Sequence, residues 1–152
     1  YYLKTTYYSF LTPLKLADLF VVISKKEYKI IEDAFLKIGE AYQIKNDLAG
    51  IDSKRNNTDI VCGRHTIVLQ TAFLSLTRKD KIAFSRHYAA NPRQYAKEVQ
   101  RLIKQTQATE EAKKEITNCC NQAVALFGGS GGQASRVEDL KSFVNFTFTY
   151  EN

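Results

Sequence analysis

Between Lys26 and about Ala49 the apolar residues Ile30, Ile31, Ala34, Phe35, Ile38, Ala41, Tyr42 and Leu48 recur largely at three- and four-residue intervals, which predicts one long amphipathic helix. At about 1.5 Å per residue it would run roughly 35 Å, nearly the depth of a domain. Gly39, Gln43, Asn46, Asp47 and Gly50 fall on a second stripe of the same helix, because residues three and four apart stack on one face. Asp47 is therefore expected on a polar face beside the core rather than inside it. Upstream, the aromatic-rich start YYLKTTYYSFLTPLKLADLFVVI predicts a helix from Leu3 to about Ile23, which Pro13 should kink or divide. Downstream, helical patterns run from Thr66 to Leu76, from Lys79 to Tyr88, and from Pro92 to about Gln107 after the Asn91-Pro92 start signal. Two more run from Thr109 to about Phe127, with Glu110 and Glu111 in the first turn, and from Ser135 to about Phe148. Gly50 to Arg64 carries no period and reads as a loop. GGSGGQ, residues 128–133, is a flexible break that looks as much like an engineered linker as a natural loop.

Composition agrees with an all-α class. Two prolines and seven glycines in 152 residues leave long segments free to be helical, and 44% hydrophobic content suffices for one core. No run of eighteen apolar residues exists, and Lys4, Thr5, Thr6, Pro13, Lys15 and Asp18 interrupt the aromatic start, which argues against an integral membrane span and an ordinary signal peptide. Cys62, Cys119 and Cys120 are odd in number, include an adjacent pair and lack zinc spacing; they suit a reducing cytoplasm better than a disulfide framework. Cys119 and Cys120 read as helix packing. A net charge of +6 permits an anionic partner. No methionine occurs, not even at position 1, so either the chain is a fragment of a longer reading frame or methionines are missing from within it.

The chemistry-bearing residues come in a fixed order: Lys4-Thr5, then YQIKND (Tyr42 to Asp47), Lys54, Asp59 and GRHT (Gly63 to Thr66). This order resembles the C-terminal half of trans-type isoprenyl diphosphate synthases, in which a KT pair precedes an FQxxDDxxD segment, a GK, a D and a GKxT. The resemblance implies the C-terminal helices of the isoprenoid synthase type I helical bundle, with residues 1–127 forming the C-terminal half of a synthase-like domain, 128–133 a linker, and 134–152 a terminal helix and tail. It implies prenyl transfer from an allylic diphosphate through a magnesium-assisted carbocation, most simply chain elongation with isopentenyl diphosphate. Charge on the departing diphosphate must meet preorganised cations. Lys4, Lys54 and Arg64 would hold that diphosphate, Asp47 and Asn46 would ligate Mg2+, and Thr5 and Gln43 would turn oxygens toward the carbocation.

The departures from the pattern shape the expectation. Asn46 and Gly50 stand where the family has carboxylates, which would weaken a magnesium site, and Arg64 replaces a lysine, keeping the charge but changing the shape. The NDxxG form is similar to that of prenyltransferases that modify competence pheromone peptides, so a peptide acceptor is an alternative. The first aspartate-rich motif does not occur in the chain, so a homo- or hetero-oligomer, such as a dimer, with a chain carrying that motif is expected. A non-catalytic regulatory subunit is a further alternative. Singly, each element reads as a solvated helix start, a polar face or a basic loop. Tyr7, Tyr8 and Phe10 could line a prenyl tunnel or fill the core, and His65 carries no catalytic role in the pattern. A basic helical module for nucleic acid is the distant alternative; the basic residues gather on no single reading helix, so nucleic acid is not expected as a partner.

Overall fold

The computed structural model describes residues 5–21, 23–52, 58–129 and 134–148, and every regular element among them is helical. Lys4, Lys54 and the stretch 130–133 lie outside the described residues. The chain forms two compact units, residues 1–43 with 115–152 and residues 44–114. Among the described residues no helix is long and apolar enough to cross a membrane.

In the first unit a π-turn at Tyr7–Leu11 leads into α1, Thr12–Asp18, with Pro13 in its first turn. Pro13 was expected to kink or divide the helix. The helix divides here because the Thr12 N–H donates to Tyr7 O, a wider closure that precedes a residue with no N–H of its own. α1 stops short of Ile23, tightening through Leu19 N to Leu16 O and Phe20 N to Ala17 O. Leu19 and Phe20 are 76% and 87% exposed, so no apolar packing extends the helix. The long helix α2, Lys25–Gly50, opens with a capping box: Ser24 Oγ accepts from the Glu27 N–H, and Glu27 Oε2 accepts from the Ser24 N–H. Ala34, Ile38 and Ala41 of α2 are fully buried. The same unit buries Cys119 and Ala123 of α7, Ala108–Gly128, and Leu140, Val144 and Phe148 of α8, Ala134–Phe148. The last three recur every fourth residue, which is the stripe that keeps α8 helical. Burying each such aliphatic side chain stabilises the unit by roughly 1.5–3 kcal/mol.

In the second unit the expected loop after Gly50 holds a short helix, α3, Thr58–Val61. It is followed by α4, Ile67–Ser75, α5, Arg78–Ala90, and α6, Ala96–Lys104. Thr77 caps α5 by accepting from the Asp80 N–H at 3.2 Å. α6 starts later than Pro92 because Asn91 first closes a turn, its side chain accepting from the Gln94 N–H and its carbonyl from the Tyr95 N–H. It ends before Gln107 because the Thr106 hydroxyl donates to Ile103 O at 2.7 Å. Val99, Leu102 and Ile103 are buried while Lys97, Glu98, Arg101 and Lys104 face water, and α6 packs on α3, α4 and α5.

Candidate functional site

In the second unit Asp47, Asp59 and Thr66 are buried polar residues near the end of α2. Asp47 was expected on a polar face; it is 4% exposed, with Oδ2 accepting the Ile67 N–H at 3.0 Å. Ile67 is the first residue of α4, and Thr66 accepts from the Leu69 N–H at 3.3 Å, so Asp47 and Thr66 together satisfy unpaired donors at the start of that helix. Helix geometry explains the misplacement. Seven residues separate Gly50 from Thr58, and the following segment returns to cover the stripe that a lone amphipathic helix would leave wet.

Gly50 has a steric reason. A Cβ there would overlap the side-chain carboxylate of Asp59, which is 6% exposed. Asp59 Oδ1 accepts from Arg64 Nη1 at 3.0 Å, and the Arg64 N–H donates to Asp59 O at 2.9 Å. Between them Gly63 takes φ +62°, a left-handed turn that a side chain would strain. Tyr88 donates its hydroxyl to Arg64 O, and His65, exposed, meets the Tyr88 ring edge-on at 6.1 Å. Burial, and then the Asp59 charge, push the Tyr88 hydroxyl up to about 12, so it stays a donor at neutral pH.

Of the expected magnesium pair, Asn46 is exposed and Asp47 buried, at neighbouring positions of α2. Asp47 is also engaged with α4, and Asp59 with Arg64. Of the other expected residues, Gln43 is buried and Thr5 half-buried in the first unit, where the space beside Gly39 is filled by the Thr6 side chain. Phe10 is core, edge-on to Tyr42 at 5.5 Å, whereas Tyr8 is 72% exposed.

A second cluster escaped sequence reading. Glu40, Glu115 and Cys119 bring their ligand atoms within 4.8 Å of one another, and Lys37 pairs with Glu40 at 3.0 Å. Burial, reinforced by both carboxylates, pushes the Cys119 thiol up to about 12, so it donates to Glu115 rather than offering a thiolate. Only the i, i+3 spacing of Lys37 and Glu40 was visible in the sequence; the meeting with a helix seventy-five residues on was not.

Among the described residues the chain is all-α, with a buried carboxylate, a glycine and an anchored guanidinium near the end of its long helix. A polyprenyl synthetase family model matches residues 1–119, so the chain belongs to that family, and its helices are consistent with the all-α isoprenoid synthase fold. The family transfers prenyl groups and is generally dependent on magnesium. No curated protein and no solved structure matches the chain.

Proposed function

We propose that the chain transfers a prenyl group from an allylic diphosphate, most simply onto isopentenyl diphosphate, as the C-terminal half of an assembly whose other half carries the first aspartate-rich motif. The observation that carries this reading is the family match through the segment in which Arg64, 55% exposed at its side chain, is anchored on Asp59. When the allylic C–O bond breaks, its electron pair leaves with the diphosphate, and Arg64, with Lys4 and Lys54, would meet that charge. The alkene of the acceptor then bonds to the allylic cation, and the proton it sheds goes to the diphosphate. Thr5 and Gln43 would present oxygens toward the cation. Magnesium would enter mainly with the segment that bears the first motif, Asp47 being engaged at the start of α4.

The exposed apolar residues Leu16, Leu19 and Phe20 in the first unit support a partner chain. A regulatory role is the second reading, favoured by the engagement of Asp47 as a helix cap. A peptide acceptor is tested by the same assay with a peptide in place of isopentenyl diphosphate. The test is product formation from radiolabelled isopentenyl diphosphate, an allylic diphosphate and magnesium, with and without a chain carrying the first motif. Product is expected only from the combination. Turnover by the 152 residues alone contradicts the need for a partner, and no product with either acceptor favours the regulatory reading.

A further inference from the structure

Gly50 and Arg64 depart from the family pattern together, and in the folded chain both adjoin Asp59. We propose that Asp59 is a positioning residue for Arg64: seated in the space that Gly50 leaves open, its carboxylate holds the guanidinium in the orientation that grips a diphosphate. The inference rests on the prenyl-transfer reading for its ligand.

The space comes first. Any side chain at position 50 would overlap the Asp59 carboxylate, so glycine there is a condition for Asp59 to sit where it does. A buried carboxylate needs a compensating donor, and Arg64 Nη1 supplies it at 3.0 Å. The Arg64 main chain is already fixed on both sides, its N–H on Asp59 O and its carbonyl on the Tyr88 hydroxyl. The ion pair with Asp59 then holds the side chain. A guanidinium carries five N–H donors in a planar fork, so one nitrogen can bind Asp59 while others of the half-exposed group address phosphate oxygens. A lysine ammonium, a single point of charge, would have to choose. Gly50 and Arg64 thus bear on the same carboxylate.

Inorganic diphosphate titrated calorimetrically into the full 152-residue chain, at low salt without magnesium, tests this. The wild-type chain should bind saturably, Arg64→Gln about tenfold more weakly, and Asp59→Asn about five- to tenfold more weakly. The sign is diagnostic, because removing a negative charge beside an anion site would by itself tighten binding. In the Arg64→Gln background, Asp59→Asn should therefore no longer weaken binding. Tightening or no change in the wild-type background overturns the proposal, as does equal weakening in both backgrounds, which would mark general structural damage. If melting shows that Asp59→Asn does not fold, Arg64→Lys carries the test: about tenfold weaker binding supports a fork held by Asp59, and unchanged affinity overturns it. Absence of binding by the wild type removes the prenyl-transfer reading and this inference with it, an outcome distinct from the loss of the Asp59 effect alone.

Discussion

Replacing Asp47 with alanine should destabilise the fold, although the residue lies in the segment whose family role is metal binding. Its carboxylate is 4% exposed and accepts the Ile67 N–H at 3.0 Å, so truncation removes an acceptor from the start of α4. Ile67 itself is 38% exposed, so water can reach the freed N–H and the loss is that of a cap, about 1 kcal/mol. For a chain of 152 residues that lowers the melting temperature by about 2–4 °C. Asp47→Asn keeps an acceptor oxygen of nearly the same shape and should recover at least half of the loss. Thermal melts followed by far-ultraviolet circular dichroism decide it. An Asp47→Ala midpoint within a degree of wild type would refute the capping argument and return the carboxylate to a purely ligand-binding role.

Gly50→Asp, the change that restores the family's carboxylate, should lower stability by at least 1 kcal/mol in urea titrations, because the new side chain meets that of Asp59. Combining it with Asp59→Gly should relieve most of that loss. In thiol labelling of the native chain only Cys62 should react rapidly, since it is exposed while Cys119 and Cys120 are buried; fast modification of two or more thiols contradicts the packing of α7. Stability should also fall on the alkaline side. Burial, with the Glu40 and Glu115 charges acting further on Cys119, pushes Cys119 up to about 12 and Cys120 to about 11, against an unfolded value near 9.0. Above that value the unfolded chain gives up thiol protons that the folded chain keeps, so stability drops from pH 9 toward 11 by up to about 1.4 kcal/mol per pH unit for each thiol. Denaturant midpoints at pH 8 and 10.5 measure the drop, and Cys119→Ala should make it shallower.

The helices were legible because their periods are local. Ala34, Ile38 and Ala41 announce the buried stripe of α2, whereas its capping box at Ser24 and Glu27 emerges only in the structure. Element ends set by side-chain hydrogen bonds, such as Thr106 on Ile103 O, were not, because nothing in the apolar pattern distinguishes a capping threonine from a surface one. The order of Lys4, Gln43, Asp47, Lys54 and Arg64 identified the family, but order says nothing about what a side chain touches. Asp47 reads as polar face in a single helix and becomes buried once Ile67 lies across it, twenty residues later. Asp59 likewise gains its place only from the missing Cβ of Gly50, a steric fact with no sequence period.

The central claim, that this chain handles the diphosphate in prenyl transfer, is met most directly by product formation in the reconstituted assembly with wild-type chain and with Arg64→Gln. Arg64 also compensates the buried Asp59 carboxylate, so melting of Arg64→Gln is measured beside turnover and the comparison is made at a temperature where both chains are folded. Removing a preorganised donor from a departing diphosphate should lower turnover by about 100-fold. Equal turnover by the two assemblies, or no product from the wild-type assembly, would contradict the account.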